Sequence, residues 1–334
     1  MTPLIECTDV TKRFGDFTAL SRLNLTVPPG VVYGYLGPNG AGKSTTIRML
    51  MGLSRPTSGR VRVLDQDPTE PEVRRRIGYL PGELRLDDRL TIEQTLTSWG
   101  RLRGLTDTAY RDELVERLGV DPARQVRGLS TGNRRKVGLV GAFMARPELL
   151  ILDEPTNGLD PLMQQVFLGL VEEARDNGQS VLLSSHILSE VERVADLVAV
   201  VQGGRLAASG PTRELRREAA QRFHIAFAEG EDVPLTALTA LDGASAVQRR
   251  RPEGQEVSLA WTGSPDGLLR FLAGHRIATL TAPEPDLEEA FLRYYQQDVR
   301  GGGRSSTEGS PAGDARDGRS GTAAESFPAA GPTR

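Results

Sequence analysis

Eight consecutive residues, Gly37-Pro38-Asn39-Gly40-Ala41-Gly42-Lys43-Ser44, carry the spacing G-x-x-x-x-G-K-S of the Walker A phosphate loop. An apolar strand candidate at residues 31–36 precedes the run and a helical stretch at 45–50 follows it. Strand, glycine-rich loop and helix therefore come in the order that cradles a nucleoside triphosphate. Backbone N–H groups of Gly37 and of residues 39–45, at the helix N-terminus, face the anion beside Pro38, Lys43 neutralises the outer phosphates, and the Ser44 hydroxyl is placed for Mg²⁺.

With 334 residues, 38% of them hydrophobic and 25% charged, the chain is long enough for two globular units with cores of their own. Its 41 basic and 44 acidic residues leave a net charge of −3, so no global positive field points to nucleic acid, and phosphate binding has to be local. The single cysteine, Cys7, excludes an intrachain disulfide and a multi-cysteine zinc site, and reads as a small buried apolar residue. The first nine residues include Glu6 and Asp9 and do not read as a secretory signal. Apolar stretches such as Leu149–Leu152 fall far short of the roughly 20 residues of a membrane helix.

Up to about residue 217, short apolar strands alternate with amphipathic helices, the pattern of an α/β domain on a largely parallel sheet. Residues 84–145 are mostly helical and read as an insertion into that core, and a hairpin with Gly203-Gly204 at its turn closes the domain. Residues 218–298 form a second, accessory α+β unit in the order βαββαβ, which predicts a small ferredoxin-like domain. Asp286 and Glu289 read as a capping pair that opens a helix through Leu287, Ala290, Phe291 and Tyr294. Residues 299–334, rich in Gly, Ser, Ala, Thr and Pro, are too poor in large apolar groups to offset the entropy of ordering and are expected to be a disordered tail. Arg249-Arg250-Arg251 lies beside a turn without aromatic company and reads as a solvated loop.

The apolar run Leu149-Leu150-Ile151-Leu152 ends in Asp153-Glu154, two carboxylates at the carboxyl edge of a sheet. Asp153 is placed to hold Mg²⁺ and Glu154 to polarise an attacking water. Ser130 and Gly132 stand at the start of a helix, where a hydroxyl and exposed N–H groups make either an ordinary N-cap or a second anion site.

Walker A, Leu129-Ser130-Thr131-Gly132-Asn133, Asp153-Glu154, Asn157-Gly158-Leu159-Asp160 and Ser184-Ser185-His186 stand in an order that resembles the ATP-binding cassette (ABC) ATPases over roughly residues 4–217. The resemblance implies a P-loop fold with a helical subdomain, and two such domains meeting head to tail around two ATP molecules. In that arrangement Ser130 and Gly132 serve the partner's nucleotide, Phe14 stacks on adenine, His186 contacts the γ-phosphate and Asp160 couples the two sites. Two positions depart from the family pattern. The signature usually reads Ser-Gly-Gly-Gln, and after residues 77–81, where the family has glutamine, this chain has Gly82 and then Glu83. Glu83 is carried as a candidate Mg²⁺ or water contact.

The appended α+β unit and the helix around Leu287 resemble bacterial type-2 exporter ATPases. The resemblance implies an ATPase subunit, peripheral on the inner face of the cell membrane, that pairs as a homodimer or with a second ABC ATPase. It would drive a separate integral membrane permease, without a nucleic-acid partner. The rival expectation is a soluble ABC ATPase that acts on a macromolecule such as the ribosome or DNA.

Overall fold

The computed structural model describes residues 2–217, 221–250 and 254–283. The chain opens with β1 (Ile5–Phe14) and β2 (Phe17–Val27), followed by β3 (Val32–Leu36), α1 (Lys43–Leu50), β4 (Ser58–Val63), α2 (Pro71–Arg75) and β5 (Ile77–Leu80). Three helices come next, α3 (Ile92–Leu102), α4 (Ala109–Arg117) and α5 (Thr131–Phe143). The strands then resume with β6 (Leu149–Asp153), α6 (Pro161–Asp176), β7 (Ser180–Ser185), α7 (Leu188–Val194), β8 (Leu197–Gln202) and β9 (Arg205–Pro211), and α8 (Thr212–Arg217) follows.

The central sheet has the order β5-β6-β7-β3-β8-β9, parallel except for β9. Its inner strands are buried on both faces, which is why they read as unbroken apolar runs. Alternate side chains part to two cores. Leu36, Leu152, Leu183 and Val200 pack on one side with α5, α6 and α7, while Tyr35, Ile151, Leu182 and Val201 pack on the other with α1. Each such Leu, Ile or Val contributes about 1.5–3 kcal/mol by leaving water.

The second face holds an element the periodicity did not separate, an antiparallel sheet of order β2-β1-β4. Leu20, Leu23, Leu25 and Val27 of β2 point into the same core as Ile47 and Leu50 of α1. The expected hairpin is β8–β9, with Gly203 and Gly204 both at positive φ, as a two-residue turn of matching twist requires. The expected helical insertion is α3–α5, lying between the paired strands β5 and β6, and a Thr91–Gln94 capping box starts α3.

Beyond residue 220 the chain forms β10 (Gln221–Phe227), α9 (Leu235–Thr239), β11 (Ala244–Arg249), β12 (Glu256–Trp261), α10 (Asp266–Leu272) and β13 (Ile277–Thr281). The strands pair antiparallel in the order β11-β12-β10-β13, the split βαβ order of ferredoxin-like folds. Phe223, Ile225, Leu259, Trp261, Leu238 and Leu268 make a separate core there. The helix expected from Asp286 and the tail from residue 299 lie outside the described residues.

Candidate functional site

β3 delivers Gly37 to the carboxyl edge of the central sheet, and the loop closes with Gly42 at φ 105° as the N-cap of α1. Only glycine takes that angle without strain, and a Cβ on Gly42 would stand 2.6 Å from Leu20 Cδ2 and 2.9 Å from Ala19 O. Ala41 N–H donates to Pro38 O at 3.2 Å, and the first α-helical bond runs from Thr46 N–H to Gly42 O at 2.9 Å. The N–H groups of Lys43, Ser44 and Thr45 precede that bond and are free by geometry for an anion. α1 begins at Lys43, two residues before the sequence expectation, so the lysine itself is part of the helix N-terminus.

Across the same edge, in register, lie Leu36 of β3, Ser184 and Ser185 of β7, and Asp153 of β6. Asp153 is 3% exposed, and its Oδ1 accepts from Ser184 Oγ at 2.5 Å. Glu154 follows with φ 50°, a left-handed conformation that costs a non-glycine residue about 1–3 kcal/mol. That backbone is pinned by its own N–H, which donates to Ser184 O (3.1 Å) and Ser184 Oγ (3.2 Å). Its carboxylate joins two motifs. Oε1 lies 3.2 Å from Lys43 Nζ and Oε2 lies 2.6 Å from His186 Nδ1. Lys43 also donates to Gly37 O (2.6 Å) and Pro38 O (3.3 Å). Lys43, Glu154 and His186 thus form one linked group at the phosphate loop, through an ion pair and a hydrogen bond on the shared carboxylate.

Ser44 is exposed at the start of α1 and Asp153 Oδ2 faces Gly82, where a Cβ would stand 3.0 Å away. A hydroxyl and a carboxylate are the oxygen donors that suit Mg²⁺, which keeps several waters. Glu83, the third metal candidate, is not brought to this place. Its side chain is 89% exposed and its neighbour is Arg85 at 3.9 Å, so the residue beside Asp153 is Gly82. The turn after β5 directs the Glu83 side chain into water.

Ser130 caps α5, accepting from Asn133 N–H at 3.3 Å, and Asp160 caps α6, accepting from Met163 N–H at 2.9 Å. The two loops touch. A Cβ on Gly132 would collide with Gly158 O, so the second signature glycine is fixed by packing within one chain. Phe14 is not a core residue; it is 53% exposed at the β1–β2 turn, paired in register with exposed Phe17, and Lys12 Nζ sits 5.0 Å from its ring centroid. Cys7 is buried, and burial pushes its thiol up to about 12, which keeps it unreactive.

Three contributors have roles that the motifs did not assign. Ser184 holds Asp153 and the Glu154 backbone at once. Glu190 of α7 accepts from Thr156 Oγ1 at 2.7 Å, and burial raises its pKa above the ordinary value of 4.5. Arg135 of α5 is buried against the Asp153-Glu154 strand end. Its place three and four residues before buried Gly138 and Leu139 is the periodic signal that marks it as inward. Among the described residues no helix is long and apolar enough to cross a membrane.

Comparison with known proteins agrees with this geometry. The ABC transporter family model matches residues 20–157. The daunorubicin/doxorubicin resistance ATP-binding protein DrrA of Streptomyces peucetius is 41% identical over 222 residues, 64% of this chain and 67% of that protein. The daunorubicin resistance ATP-binding protein DrrA3 of Streptomyces coeruleorubidus is 37% identical over 86% of this chain and 95% of its own length. The bacitracin transport ATP-binding protein BcrA of Bacillus licheniformis is 36% identical over 65% of this chain and 72% of its own length. A solved structure of an ATP-binding subunit of an ABC transporter superposes with a TM-score of 0.61 at 31% identity, over 64% of this chain and 92% of that one. A phosphate loop facing a carboxylate pair, in a chain with these relatives, places it in the family of ABC transporter ATP-binding proteins, to which it belongs.

Proposed function

We propose that this chain is the ATP-hydrolysing subunit of an exporter whose membrane path lies in a separate permease, and that it works from the inner face of the membrane. The observation that carries the reading is the shared carboxylate of Glu154, held between Lys43 of the phosphate loop and His186 after β7. In this reading the N–H groups of residues 40–45 and the Lys43 ammonium hold the phosphates, and Phe14 stacks on the base. Glu154 takes a proton from the attacking water, and His186 orients that carboxylate. Ser44 and Asp153 would hold Mg²⁺, which supplies charge neutralisation at the phosphate oxygens. Export is supported by relatives named for drug resistance and for Nod factor export.

Two nucleotide-binding units, this chain twice or this chain with a second family ATPase, close over two ATP molecules in this reading. Ser130, Gly132 and Asp160 belong to the meeting surface. The permease docks in the cleft of about 310 Å³ lined by Met51, Tyr79, Pro81, Leu84, Trp99 and Arg103. Its apolar walls suit a short helix, and Arg103 Nη1 is buried there without a partner, ready for a carboxylate or carbonyl. Pro81 links the cleft to Gly82 beside Asp153, so a shift of the docked element reaches the site. We assign residues 218–298 to the accessory unit.

The test is turnover against association in the purified full chain. ATP should be hydrolysed, and Glu154→Gln should stop hydrolysis and accumulate a dimer in ATP by light scattering. Full-rate hydrolysis by a strict monomer at every dilution would refute the pairing, and absence of a polytopic partner in membrane pull-downs would refute the permease.

A further inference from the structure

Three cations follow one another near the start of α5, Arg134, Arg135 and Lys136. Arg134 reaches Asp88 at 2.8 Å, whereas Arg135 turns inward and is 4% exposed. Among the described residues no carboxylate lies within ion-pair distance of Arg135. Four main-chain carbonyls surround its guanidinium instead. Nη1 donates to Pro81 O (2.6 Å) and Gly82 O (3.1 Å), and Nη2 donates to Asp153 O (3.2 Å) and Glu154 O. A buried cation is expensive to keep; main-chain carbonyls take the hydrogen bonds of this one, and the nearby negative charge of Asp153 and Glu154 opposes the cost of burial. The rigid planar fork lets one side chain grip two segments far apart in sequence, which the single nitrogen of a lysine cannot copy.

The gripped segments are those that matter for hydrolysis. One is the loop that lines the apolar cleft and abuts Asp153; the other carries Glu154 at φ 50°. The helix that carries Arg135 is capped by Ser130.

We propose that Arg135 is a positioning residue for ATP hydrolysis, a joint that fixes Glu154 in its left-handed conformation and ties its attitude to the 81–82 loop and to α5. The inference rests on the reading of Glu154 as the base that activates water. Displacement of either the loop or the signature helix then moves the base relative to Lys43 and His186. Misplacement of a reacting group by about 1 Å costs on the order of 10²-fold in rate, so a small rotation of this joint is enough to gate turnover.

The test compares Arg135→Lys, which keeps the charge but loses the fork, and Arg135→Gln, which keeps a donor but loses the charge, in the full chain. Both should bind ATP within about threefold of wild type with KM little changed, while kcat falls by about 10- to 100-fold. Hydrogen exchange should quicken in residues 78–83 and 153–158 of Arg135→Lys. In a Glu154→Gln background, Arg135→Lys should lower the residual rate by less than about twofold, because it acts through a group already removed. Wild-type kcat in both variants, a loss confined to KM, an equal loss in both backgrounds, or failure of both variants to fold would each overturn the role. Equal turnover by wild type and Glu154→Gln would instead remove the proposed function's base. The tether is judged apart from that by exchange, where unchanged protection of both segments overturns it.

Discussion

Lys43 Nζ and Glu154 Oε1 lie 3.2 Å apart, with 6% and 13% of their side chains exposed, so the lysine of the glycine-rich loop and the carboxylate proposed to activate water are direct partners. A triphosphate in the loop competes with Glu154 for that ammonium. Glu154→Gln removes the rival charge and leaves the hydrogen-bonding shape. ATP affinity should therefore rise or stay level while kcat drops by about 10²–10⁴-fold, the usual worth of a positioned base. Equilibrium nucleotide binding and phosphate release measure the two halves; weaker ATP binding would mean that the pair prebuilds the loop.

Lys43→Ala has the opposite signature. It deletes charge-assisted bonds worth about 1.5–3 kcal/mol, so ATP binding should weaken by about 10- to 150-fold. It also strips a donor from Gly37 O and Pro38 O. Calorimetric titration with ATP and a thermal melt of the same sample separate lost affinity from lost stability; undiminished binding would take Lys43 out of the phosphate role.

What the sequence disclosed was whatever is encoded over short stretches. The phosphate loop needs only its own glycines and the strand and helix beside it, and β6 announces itself by a buried run that stops at Asp153. The β2-β1-β4 sheet escaped because its pairing joins residue 5 to residue 63 as well as to residue 27, and no local period records that. Arg135 was legible only in part: its spacing to Gly138 and Leu139 marks an inward position, but that it reaches Pro81 while its neighbour reaches Asp88 is set only when α5 packs. The choice between Gly82 and Glu83 turned on one turn after β5, whose direction no motif fixes.

That choice has a measurable consequence. Glu83→Ala should alter ATPase activity and its Mg²⁺ dependence by less than about twofold, the usual range for an exposed substitution. Gly82→Ala puts a Cβ 3.0 Å from Asp153 Oδ2 and should raise the Mg²⁺ concentration needed for half-maximal activity. Metal titrations of both variants decide the matter; a Mg²⁺ defect in Glu83→Ala alone would restore the glutamate.

Glu190 gives a pH signature with a definite sign. Burial is the chief cause of its raised pKa, outweighing the hydrogen bonds from Thr156 and Ser185 that favour the ionised form. The unfolded chain therefore releases this proton first as pH rises, and the folded chain loses stability from about pH 4.5 upward until Glu190 ionises in place. Glu190→Gln keeps an acceptor for Thr156 and has no proton to lose. Its urea-unfolding free energy should fall less steeply than that of wild type over that window, and parallel curves would show that Glu190 titrates normally.

Phe14, proposed to stack on the base, gives a test of nucleotide binding apart from the chemistry. Its ring is half in water, next to Phe17 and under Lys12, so it contributes little to the core. Replacing it with alanine should leave the melting temperature within a few degrees, since exposed positions typically change stability by less than about 0.5 kcal/mol. A stacked aromatic is worth about 0.5–1.5 kcal/mol, so ATP binding should weaken by about 2- to 12-fold with kcat preserved at saturation. Inorganic triphosphate, which has no base to stack, should bind Phe14→Ala and wild type alike. If the variant loses both ligands equally, Phe14 shapes the loop rather than stacking on adenine; if it loses neither, Phe17 or Lys12 at the same turn takes the base.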